Sequence, residues 1–542
     1  MATAAEEGIS QGKRVTSAGW YALTLVSAAQ ALSLLDRQIL SILAPSIAED
    51  LGIGDAEIGL LYGTLFALFY ALFSLPLGRL VDGWVRTKLL AICLAMWSFS
   101  AGMAAFAGGF LLLALSRLGV GVGEAATQPA ANSIIFDEFP REKRGTAMAA
   151  LGIAVALGLG LSMTLGGVVA EWWDLRYADG GAPMGFSGWQ FAFIVAALPG
   201  FPLAWLIWRM KEPKRGQMDG IEAPEDPHPF KASAAVLGAV TPGANWFMLW
   251  HRSAGSKQWT INLIGLAVIL TVCYLMTGAT QDFSPRPPIE ALGLSIDPHV
   301  LQWFVVGFGA FVVLNLFQSL KLTDKPTYAV VLSPSLVLLM VVGGLQTAIN
   351  YGVMGFTPSF LVREFGLSMA ETGVQFGLLA AALGMVGPIV AGPLSDFLTK
   401  RMGGRGRVLL TIFSLGLSPF FGMWTYSADD VGSFYLRFTI FSLILTLWLP
   451  PLYSLMYDLV LPRMRGITSS TYIIVSTLLG LGMGPYLVGI ISDQNGGDLG
   501  EAIGTLLWMA LPITLILLFI LTRINRDEST MLERARAAGE PV

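Results

Sequence analysis

The chain of 542 residues is 54% hydrophobic, and only 13% of it is charged, against about 25% in a soluble domain. So little charge cannot cover a water-facing surface, which puts most of that surface against lipid. A net charge of −4 without a long basic run speaks against a nucleic-acid partner, and the two cysteines, Cys93 and Cys273, sit inside apolar runs and speak against a disulfide framework.

Residues 1–17 are polar, carry no signal-peptide pattern and read as a cytoplasmic tail. A bilayer core of about 30 Å needs about 20 apolar residues as helix. Six such runs follow, at roughly 18–45, 56–78, 88–108, 110–137, 145–171 and 188–209, and make an N-terminal six-helix bundle over 18–210. A linker over 211–329 starts polar and Pro-rich (Lys211 to Pro229) and turns amphipathic around Phe230–Trp250. It holds two more runs, at roughly 260–278 and 300–320, joined by Asp282-Phe-Ser-Pro285-Arg-Pro-Pro288, which cannot be regular helix. Six further runs, at roughly 330–362, 371–398, 407–426, 431–457, 466–492 and 502–523, make a C-terminal bundle over 330–523 before a cytoplasmic tail at 524–542. The fold class is all-α and polytopic, with about 14 spans.

An even span count puts both termini on one side. Of the 33 Lys and Arg, Arg37, Arg117 and Arg437 fall inside runs, and Arg176, Arg286 and Arg363 fall in far-side loops. The rest lie on the terminal side. That bias makes the terminal side cytoplasmic, and implies a multi-pass protein of the cell (inner) membrane. The far-side loops are acidic, as in Glu49-Asp50, Asp429-Asp430 and Asp493.

The two blocks of six repeat each other. Gly78-Arg-Leu-Val-Asp82, with Arg86 and Lys88, is echoed by Gly392-Pro-Leu-Ser-Asp396, with Lys400 and Arg401. Arg117 leads through Asp137 and Pro140 to Arg144-Gly145, and Arg437 leads through Asp458 and Pro462 to Arg465-Gly466. Three features at similar spacing indicate duplication. Paired six-helix bundles are a transporter plan, with the substrate site between the halves near the midplane.

With these motifs the sequence resembles the major facilitator superfamily. Gly78-x-x-x-Asp82 and its echo look like that family's cytoplasmic gating loop, and Gly188-Trp189-Gln-x-x-Phe193 is also similar to a family pattern. Within the superfamily it is most like the Spinster branch of lysolipid and sphingoid-phosphate transporters. Leu35-Asp36-Arg37, Arg117-Leu-Gly-Val-Gly-Val-Gly123-Glu124-Ala125 and the stretch from Ile135 to Gly145 carry that likeness. Organic-anion branches also have an Asp-Arg in the first span and a Glu in the fourth. High Gly and Ala content and short tails suggest a bacterial member.

A charge at mid-membrane costs about 2.5–3.5 kcal/mol on insertion scales and is functional by default. Asp36 and Arg37 are adjacent, so they point about 100° apart. Arg117 and Glu124 are seven apart on one helix face, too distant for a direct pair. The first span can slot between them, with Arg37 on Glu124 and Asp36 on Arg117, or the reverse. The cluster reads either as a static polar clamp or as a proton switch. The Spinster likeness implies the second, with Glu124 as carrier and Arg37 as the partner that senses conformation; Asp36 could exchange roles with Glu124.

In the second bundle, Ile444 matches Glu124. Gln346, Asn350 and Tyr351 on its first helix, and Trp448, Pro450-Pro451 and Tyr453 on its fourth, give polar tips on apolar walls. These suit an amphiphile, although aromatics at helical spacing are also ordinary core. Arg437 could hold an anionic headgroup or snorkel to the far interface. Substrate contacts are therefore expected from Arg37, Glu124, Asn350, Tyr351, Arg437 and Trp448. Asp82 and Asp396 follow helix ends, and the family likeness implies that such an acid caps a helix of the opposite bundle when the inside is closed, an anion at a positive dipole end. Arg86, Lys88, Lys400 and Arg401 can bridge to Asp137 and Asp458. Gly158, Gly160, Gly166 and Gly167, and Gly480, Gly482, Gly484 and Gly489, let helices approach closely.

No phosphate loop supplies an ATPase, and no His or Cys cluster has metal-ligand spacing. Gly185-Phe-Ser187-Gly188 matches an intramembrane protease motif, but a serine nucleophile needs a base, and His228, His251 and His299 all lie outside the runs. The reading is thus a non-enzymatic, monomeric carrier, with protons as coupling ion and no other cofactor. By resemblance it exports lysophospholipid or sphingoid-type amphiphiles. The alternatives are uptake of a small organic anion such as a sugar acid, and an uncoupled lipid scramblase. The inserted pair reads as a lateral gate, a partner surface or a spacer.

Overall fold

The computed structural model describes residues 15–218, 227–251, 254–291, 294–461 and 464–540. The first fourteen residues of the expected tail, much of the polar linker and Pro462 lie outside the described residues. With no water in the bilayer core, a chain this apolar has to satisfy its backbone within helices. Fourteen helical stretches are long and apolar enough to cross a membrane. Spans 1–6 are Ser17–Leu51, Asp55–Gly83, Arg86–Phe106, Phe110–Glu138, Thr146–Arg176 and Gly188–Arg209. Spans 7 and 8 are the inserted pair, Ser256–Phe283 and Pro298–Thr323. Spans 9–14 are Pro334–Phe365, Met369–Met402, Gly404–Tyr426, Val431–Asp458, Arg465–Gln494 and Leu499–Ser529.

Helix ends follow local chemistry. Span 1 stops at Gly52, whose left-handed backbone closes the last turn. Ser368 and Glu371 form a capping box at the start of span 10, and Asp297 accepts from the amides of His299 and Val300 at the start of span 8. His299 therefore lies in the first turn of span 8 and is fully buried, not outside the spans as the hydropathy pattern indicates. The proline-rich link between spans 7 and 8 forms a short antiparallel pair, Ile289–Ala291 with Leu294–Ile296.

The bundles meet along two outer seams. At the seam of spans 5 and 10, a side chain on Gly160 would come within 2.7 Å of the Gly377 carbonyl, and Thr164 donates to the Gly373 carbonyl at 3.0 Å. At the seam of spans 2 and 13 both helices widen into π turns, at Leu60–Thr64 and Ser476–Leu481. Thr64 donates across to the Gly482 carbonyl at 2.7 Å. Span 8 lies over this second seam. Its Val312 and Leu316 pack with Ala71 of span 2 and with Ile474 and Leu478 of span 13. Span 7 lies outside span 8, and only 6% of its apolar window is buried, so it faces lipid. Two short helices, Pro229–Val240 and Ala244–His251, run beneath the pair.

Candidate functional site

Span 1 presents Arg37 to span 4. Arg37 Nη2 lies 2.7 Å from Glu124 Oε2, and the Arg37 side chain is 12% exposed against 0% for Glu124. Ser33 Oγ, one turn earlier on span 1, donates to the same carboxylate oxygen at 2.7 Å. Glu124 Oε1 is buried with no hydrogen-bond partner among the described residues. The Arg37 guanidinium sits 4.6 Å from the Phe66 ring and 5.1 Å from the Tyr70 ring, and its Nη1 reaches the Tyr351 hydroxyl of span 9 at 3.4 Å. The ion pair thus touches both bundles.

The neighbouring charges pair differently from the expected arrangement. Arg117 donates to main-chain carbonyls, those of Asp36 at 3.0 Å, Arg37 at 3.3 Å and Leu61 at 3.3 Å. The Asp36 carboxylate instead accepts from Trp97 Nε1 at 3.1 Å, and its other oxygen has no partner among the described residues. A helical carbonyl keeps a second lone pair, so a buried guanidinium wedged against two helices finds acceptors without a carboxylate. Arg117 ties spans 1, 2 and 4 together at the level of the Arg37–Glu124 pair.

Aromatic residues line the approach to that pair. Tyr62 and Tyr351 meet edge to face at 6.4 Å across the bundle interface, and Phe66 stacks on Tyr70 at 5.3 Å. Tyr453 and Tyr472 form an edge contact at 5.2 Å on the C-terminal side. Asn350 is half-buried beside Tyr351. Gln346 is fully buried, with neither amide atom hydrogen-bonded among the described residues. Arg437 and Trp448 are also expected substrate contacts. Arg437 donates to the carbonyls of Trp424 at 2.9 Å and Ser427 at 3.3 Å and covers the Trp424 ring, so it caps the far end of span 11. Trp448 is buried within the main apolar core. Nothing in the sequence marks Tyr70, Ser33 or Trp97, because a lone aromatic or serine in an apolar run looks like packing.

The far side is locked between bundles. Arg363 of span 9 grips Asp55 of span 2 through both guanidinium nitrogens, each at 2.7 Å. Asp493, at the end of span 13, accepts from the amides of Asp55 at 3.2 Å and Ala56 at 2.9 Å, an anion on the first turn of span 2. Arg286, from the link between spans 7 and 8, bridges Glu57 at 2.5 Å and Asp493 at 2.6 Å. Ser187 of the protease-like motif donates to Asp50 at 2.9 Å, while His299 contacts the Tyr486 hydroxyl at 2.5 Å and the Ser284 carbonyl at 2.8 Å, so the two do not form a pair.

On the terminal side, the pairs of Arg86 with Asp137 and Glu212 and of Arg407 with Asp458 do not cross from one bundle to the other. The fully buried Arg86 holds Asp137 and, at 2.7 Å, Glu212. Lys88 covers the Trp208 ring at 4.2 Å. Asp458 pairs with Arg407, not with Lys400 or Arg401, because Arg407 enters span 11 beside it while Arg401 lies on the Phe397 ring of its own helix. Asp396 is exposed and Gly392 has open space around it. Asp82 and Gly78 face Gly466, Ile467 and Ser470 of span 13 across a cavity. Among the described residues, ion pairs join the bundles at the far side, and at the terminal side a cavity separates spans 2 and 13.

A family model described as Major Facilitator Superfamily matches residues 26–345. The chain is 24% identical over 486 residues to an MFS-type efflux pump of Mycolicibacterium smegmatis, covering 90% of this chain and 87% of that protein. It is 28% identical over 313 residues to a probable L-galactonate transporter of Escherichia coli, covering 55% of this chain and 65% of that protein. A solved structure of a bacterial homologue of the human lysosomal transporter Spinster, inward-facing and occupied, superposes with a TM-score of 0.64 at 20% identity, over 96% of this chain and 99% of that one.

Proposed function

The chain belongs to the Major Facilitator Superfamily, and on that premise we propose that it is a proton-coupled secondary transporter exporting single-chain amphiphiles, of lysophospholipid or sphingoid type, by alternating access. The observation that carries the reading is the Arg37–Glu124 pair: one carboxylate oxygen engaged, the other without a partner among the described residues, with Tyr351 of the opposite bundle on the same guanidinium. A proton taken up by Glu124 removes the charge that holds Arg37. Arg37 is then released toward the cleft, where Tyr351 and an anionic headgroup compete for it. A proton shifts the equilibrium between states only if it binds one state more tightly, and a carboxylate at the bundle interface supplies such a difference. The walls of Phe66, Tyr70 and Tyr453 give an acyl chain apolar surface beside one polar focus. The excess of Lys and Arg on the terminal side supports cytoplasmic termini in an inner membrane.

A second reading, uptake of a sugar acid with protons, is favoured by the similarity to the probable L-galactonate transporter. In it Arg37 binds the carboxylate of a small anion directly. Purified protein in liposomes under an imposed pH gradient separates the readings. Gradient-driven flux of labelled lysolipid, lost in Glu124→Gln, supports the amphiphile exporter. Flux of galactonate but not lysolipid moves the assignment to the anion. Lysolipid flux that is equal in both proteins and independent of the gradient identifies a scramblase.

A further inference from the structure

The inserted pair does more than cross the membrane. Over much of the seam between spans 2 and 13, span 8 closes the gap. Gln302 of span 8 contacts Thr64 at 2.5 Å and the Gly482 carbonyl at 2.9 Å, and a side chain on Gly309 would come within 2.5 Å of Leu478. Toward the terminal side the seam opens. A cavity of about 610 Å³ lies there between span 2, span 13, span 8 and the helix Pro229–Val240. Its volume falls in the range of about 300–1,000 Å³ typical of small-molecule sites.

The walls differ in kind. Leu316 and Leu320 of span 8 form an apolar side, and Arg79, Asp82 and Ser470 form a polar rim. Asp82 lies within electrostatic reach of both Arg79 and Arg215. The apolar wall is fixed in place. Ser233 Oγ donates to the Pro76 carbonyl of span 2 at 2.7 Å, and Asn315 of span 8 donates to the Val240 carbonyl at 3.2 Å. Gly78 and Gly466 have open space where a side chain would stand, in contrast to Gly59 higher on the same seam, where a side chain would meet the Pro485 carbonyl at 2.6 Å.

We propose that this cavity is a loading site for a single-chain zwitterionic phospholipid entering from the terminal-side leaflet, with its acyl chain along Leu316 and Leu320 and its headgroup on the Arg79–Asp82–Ser470 rim. A carboxylate beside a guanidinium matches an ammonium beside a phosphate. The opposite seam is shut by Gly160 against Gly377, so the side covered by the insert is the lateral route. Span 8 gates that route: it seals the far half and leaves the near half open. When the terminal side closes and span 2 approaches span 13, the cavity collapses, so loading belongs to the state open toward the termini. This inference rests on the amphiphile reading above.

The test uses the full-length protein in liposomes and lysophosphatidylcholine carrying a photoreactive group on its acyl chain. Crosslinked peptides should come from 229–240, 310–323 and 465–475, with competition by unlabelled lysolipid but not by diacyl lipid. Ala239→Trp and Leu320→Trp fill the cavity from two different helices, so a folding defect in one leaves the other. Overpacking of this kind should lower crosslinking there and lysolipid flux by about tenfold. Crosslinks spread evenly over all lipid-facing helices, or unchanged flux in both variants while wild type transports, overturn the loading site and leave the transport reading intact. Competed crosslinking at these peptides without flux in wild type supports the site and overturns the transport reading instead.

Discussion

Arg37 and Glu124 meet at 2.7 Å through one carboxylate oxygen, and the other oxygen of Glu124 is buried without a partner among the described residues. Asp36 also has one oxygen without a partner among the described residues, but only Glu124 carries an arginine on the other, so a proton on Glu124 is the one that changes a charge pair at the bundle interface. The half-used carboxylate is what a proton site needs. Glu124→Gln keeps the shape and removes the titration. Its gradient-driven flux should fall by at least about tenfold, and the pH dependence of the remaining flux should flatten. Retention of a wild-type pH profile in the variant would place coupling elsewhere.

Arg117 offers a contrast within the same cluster. Its acceptors are carbonyls of helices that keep their own ladders, so Arg117→Met breaks no direct ion pair, although it takes a positive charge from the neighbourhood of the buried Asp36. Arg37→Met leaves Glu124 buried and alone. Removing one partner of a buried pair costs about 3–5 kcal/mol because the other charge stays buried, whereas removing a buried cation together with its own hydrogen bonds also relieves a desolvation penalty of several kcal/mol. Thermal unfolding in detergent should therefore rank Arg37→Met below Arg117→Met, and the double variant Arg37→Met/Glu124→Gln should recover part of the loss. The reverse order would mean that Arg117 is the more important tie.

The charges of this cluster were visible in the sequence because Asp, Arg and Glu do not belong in apolar runs. The spans and the duplication were visible for the same reason of contrast. Which charge meets which was not. Asp36 and Arg37 differ by one residue, yet one faces Trp97 and the other Glu124, and only the packing of spans 1, 3 and 4 decides that. The far-side lock was hidden because its members look like loop charges. One signal was present. Arg286 and Arg363 are among the few basic residues on a side otherwise acidic, and both turn out to hold carboxylates across the closed end. Of the two readings of Arg437, its place on the carbonyls at the far end of span 11 fits the interfacial one, because a matching position in a repeat need not keep a matching environment.

The lock itself can be loosened. Asp55 is nearly buried, but the Arg363 side chain is 36% exposed, so the pair is worth less than a fully buried one. Arg363→Gln removes the grip on Asp55 and leaves the Asp493 contacts with the start of span 2. A loss of about 1–2 kcal/mol from the closed far side changes the population ratio by a factor of about 5–30. Spin-label distances across the far ends of spans 2 and 9 should show a longer component gaining weight. The same distances measured at the terminal ends of spans 2 and 13 should shorten. An unchanged distribution at both ends would show that Arg363 is not part of the gate.

Close-packed glycines separate state from stability. Gly59 of span 2 faces the Pro485 carbonyl of span 13 across the two bundles, at 2.6 Å from where a side chain would begin. Gly123 of span 4 faces Trp97 and the Cys93 carbonyl of span 3, inside one bundle, at 2.6 and 2.8 Å. An alanine at either place forces main chain or a packed ring to shift, at a cost of about 1–3 kcal/mol. The cost at Gly59 falls only on the state in which the far side is closed, because a rocking motion separates spans 2 and 13 there. The cost at Gly123 falls on every state, because spans 3 and 4 move together. Gly59→Ala should therefore shift the spin-label distances in the same direction as Arg363→Gln. Its unfolding temperature should change less than that of Gly123→Ala, which should lower that temperature and leave the distances in place. If Gly123→Ala shifted the distances as well, the N-terminal bundle would not be moving as a rigid body, and the rocking description of this carrier would fail.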